Sequence, residues 1–114
     1  MLTLTALESP VKLLVGEQSV IPLVFSLGVS YPNPFNPSTK FSVGLPKASR
    51  IEVGVYDILG RNVRTLVNEE LPAGYHTIEW NGMRGDNTAA TSGVYFLRMV
   101  GEKFTDVRKI VLMK

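Results

Sequence analysis

The sequence predicts an all-β fold, an antiparallel sandwich of about seven short strands. Ten glycines and seven prolines are spread along the 114 residues instead of being collected in one linker. Between them lie short runs, rich in β-branched and aromatic side chains, in which apolar and polar residues alternate. No window of about 11 residues repeats its apolar positions with the period of a helix. Hydrophobic residues make up 45% and charged residues 19% of the chain, which is an ordinary composition for one globular domain.

The amino-terminal third is predicted to contain two strands and a stiff connector. The strands are Val11–Val15 and Val20–Leu27, with a turn at Gly16 between them. The segment Tyr31–Pro37, called the connector below, contains three prolines. Proline cannot donate to a β-ladder and favours extended geometry in the preceding residue. We therefore expect the connector to be irregular, with Phe35 inserted into the core.

Alternation of apolar and polar residues continues to the carboxyl end. It predicts six further strands, which are Thr39–Leu45, Arg50–Ile58, Asn62–Val67, Tyr75–Trp80, Val94–Val100 and Phe104–Met113. The residues assigned to the core are Phe41, Val43, Leu45, Ile51, Val53, Val55, Ile78, Trp80 and Tyr95. Gly60 can adopt a positive φ in the connection between the strands Arg50–Ile58 and Asn62–Val67. Leu71–Gly74 is predicted to be a turn. Seven or eight such strands are typical of an immunoglobulin-like or fibronectin-III-like sandwich.

Charge and composition exclude several classes of function. Lys and Arg number 12 and Asp and Glu number 10, so the net charge of +2 is too small to indicate a nucleic-acid partner. The absence of cysteine excludes disulfides, thiolate zinc sites and cysteine nucleophiles, and one histidine excludes a multi-histidine metal site. No apolar stretch approaches the roughly 18 residues of a transmembrane helix. Met1–Lys12 lacks the features of a signal peptide, so we expect any export signal to lie in a longer precursor.

No group of residues has the spacing of a catalytic or metal site. His76 has no acid at triad-like spacing and is predicted to be a half-buried strand residue. Ser92 lacks the glycine-flanked elbow of a hydrolase nucleophile. Asp86 and Asn87 lack the spacing of a calcium loop and fit a turn better. We expect no catalytic residue, no metal, no cofactor and no enzymatic activity.

Six motifs follow one another along the chain in a specific order and spacing. They are YPNPFNPST at Tyr31–Thr39, VYDILGR at Val55–Arg61, LPAGYH at Leu71–His76, WNG at Trp80–Gly82, SGVYF at Ser92–Phe96 and KIVLMK at Lys109–Lys114. With them the chain resembles the type IX secretion system C-terminal sorting domain, type A. That family is similar to the immunoglobulin-like domain of the flagellar hook-capping protein. The resemblance covers about Phe25 to Lys114, so residues 25–114 would be the sorting domain. Residues 1–24 would be a linker, the tail of a preceding domain or an extra amino-terminal strand.

The resemblance implies a non-catalytic sorting function. Domains of this family lie at the carboxyl end of exported bacterial cargo, are recognised by an outer-membrane translocon, and are typically removed by a sortase-like peptidase. The implied partners are the translocon, that peptidase and an upstream cargo domain, and the implied route is through the periplasm to the cell surface or the medium. The residues implied in translocon recognition are Lys109, Ile110, Val111, Leu112, Met113 and Lys114. Addition of a partner strand to this terminal strand is one possible mode of recognition.

Other residues of the motifs are expected to shape the fold. They are Tyr31, Pro32, Asn33, Pro34, Phe35, Asn36, Pro37, Gly60, Gly74, Trp80, Gly82, Gly93 and Tyr95. The chain departs from the family pattern at two positions, with Asn81 where the family usually has Asp and Asn87 where it usually has Gly. Because Asn tolerates left-handed geometry, we expect the turn at Asn87 to form.

Two other functions are alternatives to sorting. One is a structural module of a flagellar hook cap or surface assembly, as the hook-capping resemblance allows. The other is a carbohydrate-binding accessory module, which would present several exposed aromatic residues on one face, whereas most aromatics here fall at core positions. We expect a monomer, with a swapped dimer as the alternative, because exposed edge strands can exchange between chains.

Overall fold

The computed structural model describes residues 21–114, and in that range it contains seven strands and no helix. The strands are β1 (Ser26–Leu27), β2 (Thr39–Leu45), β3 (Ser49–Tyr56), β4 (Asn62–Leu71), β5 (Gly74–Trp80), β6 (Gly93–Val100) and β7 (Thr105–Leu112). One sheet has the order β1-β2-β5 and the other the order β4-β3-β6-β7, with antiparallel pairing throughout. The predicted immunoglobulin-like sandwich of about seven strands is confirmed. The described residues include no helix that could cross a membrane.

The amino-terminal strand is much shorter than predicted. Of the described residues 21–27 of this predicted strand, only Ser26–Leu27 pairs, against Gly44 and Val43 of β2, so the prediction was wrong for residues 21–25. Val20 lies outside the described residues. Pro22 has no N–H to donate to a ladder, and Leu23 is 95% exposed. The predicted strand Val11–Val15 lies outside the described residues.

The other strands follow the predicted alternation. β2 has the predicted bounds, and its residues Phe41, Val43 and Leu45 are buried. Strand β4 continues to Leu71, four residues beyond its predicted end at Val67. Its added residues Asn68, Glu69 and Glu70 are all exposed, so they carry no apolar alternation that could have predicted a strand.

Three aromatic side chains join the two sheets and the connector. The ring of Phe35 lies 5.5 Å from that of Trp80 in β5, and the Trp80 ring lies 5.3 Å from that of Tyr95 in β6. Phe35 and Trp80 are fully buried, as predicted. The indole N–H of Trp80 donates to the carbonyl of Met83 at 2.9 Å, and the Tyr95 hydroxyl donates to the carbonyl of Thr91 at 2.6 Å. The polar atom of each ring therefore keeps a partner while its apolar surface fills the core.

The hairpin between β3 and β4 is fixed by local contacts. One carboxylate oxygen of Asp57 accepts from the backbone N–H groups of Leu59 and Arg61, both at 2.9 Å, and the other accepts from the Arg61 side chain. The backbone N–H of Arg61 is the largest of the effects that hold the pKa of Asp57 below its usual value. Gly60 has a φ of 81°, as predicted for this turn. The tip leaves Ile58 and Leu59 exposed to solvent.

We predict that Phe35→Ala strongly destabilises the domain. It removes a ring that is 2% exposed and in contact with Trp80, so the free energy of unfolding should fall by about 3–5 kcal/mol. Chemical denaturation followed by tryptophan fluorescence measures this change. Tyr31→Ala in the same connector is the control, since that side chain is 81% exposed and its loss should cost about 0.5 kcal/mol or less. Equal effects of the two substitutions would contradict the packing described here.

We also predict unequal costs for alanine at two turn glycines. Gly60 and Gly82 have similar φ angles of 81° and 79°, but a Cβ at Gly82 would lie 2.9 Å from the carbonyl oxygen of Pro37, whereas one at Gly60 would meet nothing within 4 Å. Gly60→Ala should therefore cost about 1–2 kcal/mol, the cost of the left-handed backbone alone. Gly82→Ala should cost at least about 1 kcal/mol more because the connector must move. Denaturation midpoints test this, and equal losses would show that Gly82 does not hold the connector.

Candidate functional site: the terminal strand and the connector

The terminal strand β7 lies at the edge of the four-stranded sheet. It pairs along its whole length with β6, from Gly93↔Leu112 to Val100↔Thr105. Within the predicted recognition segment Lys109–Lys114, Ile110 and Leu112 are buried in the core. Lys109, Met113 and Lys114 are exposed and Val111 is half-buried. The segment therefore contributes both to the core and to the surface.

The side-chain amide of Asn33 covers part of the outer edge of β7. Its nitrogen donates to the carbonyl of Lys109 at 3.2 Å, and its oxygen accepts the backbone N–H of Val111 at 3.0 Å. One side chain thus makes the donor and acceptor contacts that a peptide group of a neighbouring strand would make.

The backbone of Phe35 covers the next part of the same edge. Its N–H donates to the carbonyl of Val111, and its carbonyl accepts from the N–H of Met113, both at 2.9 Å. Together Asn33 and Phe35 occupy the outward Lys109 carbonyl, both outward groups of Val111 and the Met113 N–H. A partner strand could therefore pair with this part of β7 only after the connector had moved, which the sequence alone could not show.

The connector is also attached to the other sheet. Tyr31 exchanges both backbone hydrogen bonds with Lys40 in β2, at 2.8 and 3.0 Å, and the hydroxyl of Thr39 donates to the carbonyl of Pro32 at 2.7 Å. The remaining connector residues Pro34, Asn36 and Pro37 are exposed. The predicted irregular connector is thus a bridge between β2 of one sheet and β7 of the other.

The two departures from the family pattern are accommodated in the loop after Trp80. The side-chain oxygen of Asn81 accepts from the N–H of Met83 at 3.1 Å, a contact that Asp could also make. Asn87 has a φ of 66°, and its N–H donates to the carbonyl of Arg84 at 2.9 Å. The turn expected at Asn87 is present. Gly60 has the positive φ predicted for it, and Gly74, Gly82 and Gly93, which were expected to shape the fold, also have positive φ.

His76 and Asp86, considered as candidates for a catalytic or metal site, form hydrogen bonds with residues close to them in the sequence. His76 is half-buried, as predicted, and its Nε2 lies 2.7 Å from the carbonyl oxygen of Pro72. Asp86 accepts from the hydroxyl and the backbone N–H of Thr88, and the hydroxyl bond is the largest effect lowering its pKa. Within residues 21–114, no three His, Asp or Glu side chains cluster in a way that could hold a metal.

Sequence reasoning missed one arginine side chain that is held in place on the strand next to the terminal strand. The guanidinium carbon of Arg98 in β6 lies 4.3 Å from the ring centroid of Tyr56 in β3, and one of its nitrogens donates to the Tyr56 hydroxyl at 2.9 Å. Alternation places both residues on the outward side of their strands. It could not show that the two strands are neighbours, because they are separated by 42 residues.

We predict that Asn33→Ala opens the edge of β7. It removes two hydrogen bonds, each worth about 0.5–1.5 kcal/mol, and leaves the N–H of Val111 without its partner. Hydrogen exchange at Val111 should become faster than in the wild type while the fold is kept. Asn36→Ala is the matched control, since the exposed Asn36 side chain bonds to no other described residue. Unchanged exchange at Val111 in Asn33→Ala would contradict the contact.

Residues 31–103 match the model of the FlgD Ig-like domain family. Two curated relatives are the basal-body rod modification protein FlgD of Salmonella typhimurium and that of Salmonella typhi. Each is 41% identical over 59 residues, which is 51% of this chain and 25% of the relative. The chain therefore matches about a quarter of the length of these relatives.

Two solved structures from Porphyromonas gingivalis have a similar fold. One is PorZ, an essential bacterial surface component of the type IX secretion system, with a TM-score of 0.55, 17% identity and coverage of 75% of this chain and 11% of PorZ. The other is dimeric latent PorU, with a TM-score of 0.64, 18% identity and coverage of 89% of this chain and 10% of PorU. At these identities the likeness shows the fold alone. The family match, in contrast, covers well over half of the chain, and the chain belongs to the FlgD Ig-like domain family.

Proposed function

We propose that this domain is a type IX sorting domain, a non-catalytic label that directs an attached cargo across the bacterial outer membrane. The observation that carries the proposal is the contact between the connector and the terminal strand. These motifs begin and end the resemblance to sorting domains, and Asn33 joins them across 76 residues of sequence. The fold thus brings the two outermost motifs into one surface.

The geometry suits a label that is recognised through side chains. The buried residues Ile110 and Leu112 anchor β7 in the core, and the connector pairs with the edge beside Lys109 and Val111. Lys109 remains exposed on this strand, and Lys114 is exposed two residues beyond its end at Leu112. A rigid surface loses little conformational entropy when a partner binds, which favours recognition.

The comparisons support an exported protein. PorZ, which contains a domain of this fold, is a surface component of a type IX secretion system. In the proposal the domain follows an upstream cargo domain, passes through the periplasm and is recognised by the outer-membrane translocon. A sortase-like peptidase then removes it, and the cargo stays on the cell surface or enters the medium.

A second candidate is a structural module of a flagellar hook cap or surface assembly. The 41% identity to FlgD over 59 residues favours it. The match to the FlgD family model ends at residue 103, before β7 begins at Thr105. The two candidate functions therefore differ in the role of the terminal strand. Sorting requires a partner to recognise its surface, whereas a FlgD-like structural module does not need that surface.

We predict that the whole chain, fused behind a periplasmic reporter enzyme, carries the reporter out of a bacterium that has a type IX translocon. The reporter should stay in the periplasm when the domain is absent or the translocon is deleted. Immunoblots of the medium, cell surface and periplasm measure the distribution. Simple deletion of Lys109–Lys114 is an unsuitable test, since it also removes the buried residues Ile110 and Leu112 and would unfold the sandwich.

Failure of export in this experiment would also be informative. A folded fusion that remains in the periplasm of the translocon-bearing strain would refute the sorting function. Light scattering of the purified chain separates the second candidate, because a stable ring or other large oligomer would favour a structural module.

A further inference from the structure

The hairpin of β6 and β7 has one side in the core and one side in solvent. Direct cross-strand partners share a side, and the inward side carries the buried pair Tyr95↔Ile110 together with the buried residues Leu97, Met99 and Leu112. The first three outward pairs, counted from the start of β6, are Val94↔Val111, Phe96↔Lys109 and Arg98↔Val107. These six residues are called the outer hairpin face below.

The outer hairpin face is more apolar than is usual for a sheet face that is exposed to water. A sheet with one side in water usually alternates apolar inward and polar outward residues. Here Val94 is 37% exposed and Val107 is 49% exposed. Beside Phe96 and Val107 lies an open depression of about 230 Å³, which Tyr56 and Ile58 also line. Since Ile58 is 71% exposed, the apolar surface extends from the hairpin onto the β3–β4 turn.

The charged residues on this face are both cations. They are Arg98 and Lys109, and both side chains are exposed. Arg98 is held in place by the ring and the hydroxyl of Tyr56. Among the residues that line the depression, only Asp57 carries a carboxylate, and it is already paired with Arg61 at 2.9 Å. Glu52 lies on the same outward side of the sheet, opposite Val100, but within the described residues neither Arg98 nor Lys109 forms a salt bridge. The face therefore presents positive charge among apolar side chains.

The outward residues of the other sheet provide a contrast. On β2 and β5 they are mostly polar and exposed and carry both signs of charge, as at Lys40, Ser42, Thr77 and Glu79, and they also include the exposed Tyr75. Main-chain pairing with Lys109–Met113 is blocked by the connector. Of these surfaces, the outer hairpin face alone combines apolar exposure with one sign of charge.

We propose that the outer hairpin face is the surface that the export machinery binds. The partner is a protein surface that places apolar side chains against Val94, Phe96 and Val107 and carboxylates opposite Arg98 and Lys109. Complementary charge speeds the encounter and selects against other partners, while the apolar contacts supply affinity. This inference rests on the proposed sorting function and specifies the chemistry of its partner.

The test uses the full chain fused to the periplasmic reporter in the translocon-bearing strain. Val107→Glu and Lys109→Glu place a negative charge opposite the acidic partner, and each should lower reporter export by about tenfold or more. Lys109→Arg keeps the charge and should therefore be exported much better than Lys109→Glu. Thr77→Glu adds the same charge to an exposed outward position of the other sheet and should also export normally. Thermal unfolding of each purified domain verifies folding, and Val107→Ser replaces Val107→Glu if that variant does not fold.

Each other result has a defined meaning. If the wild type is exported and both Glu variants are exported equally well, the outer hairpin face is not the docking surface, although the sorting function stands. If the folded wild type is not exported, the sorting function itself fails. Faster export of Asn33→Ala would overturn the proposal in favour of main-chain pairing at the opened edge. A dimer that Val107→Glu dissociates without changing export would show that a second copy occupies the face.

Discussion

The hydrogen bonds between the connector and β7 are the constraint on which the rest of the structure depends. An edge strand with free N–H and C=O groups invites pairing with other chains. Here Asn33 and the backbone of Phe35 occupy those groups from Lys109 to Met113. The same connector places the Phe35 ring against Trp80, which in turn contacts Tyr95. Closure of the edge and packing of the two sheets are therefore one arrangement, and neither can be lost without weakening the other.

This arrangement gives the terminal strand two roles that cannot be separated by truncation. Ile110 and Leu112 belong to the core, whereas Lys109 and Val111 face outward. Where the edge is closed, from Lys109 to Met113, β7 offers a partner its side chains and not its backbone groups. The proposed sorting function and the proposed docking face both follow from that geometry. Membership of the FlgD Ig-like domain family accounts for the sandwich, and the family match ends before β7 begins.

Sequence patterns were accurate where burial imposes strict alternation. Thr39–Leu45 was predicted residue for residue because Phe41, Val43 and Leu45 all face the core. They were inaccurate where alternation is absent or misleading. The end of β4 was missed because Asn68, Glu69 and Glu70 are exposed edge residues. The strand before Ser26 was overextended because the apolar residues Ile21, Leu23 and Val24 are exposed. Asn33 lay in a motif assigned to the fold, but nothing local in the sequence identified the two groups that it binds.

The sequence by itself determined the strand periodicity, the inward residues and the left-handed geometry at Gly60 and Asn87. These depend on neighbouring residues, since alternation and backbone φ are local properties. Only the tertiary structure decided the strand order, the closure of β7 by the connector and the contact of Arg98 with Tyr56. The last two of these features join residues separated by 42 to 78 positions. Which strands become neighbours is decided by how two sheets bury their apolar sides together, and no local pattern records it.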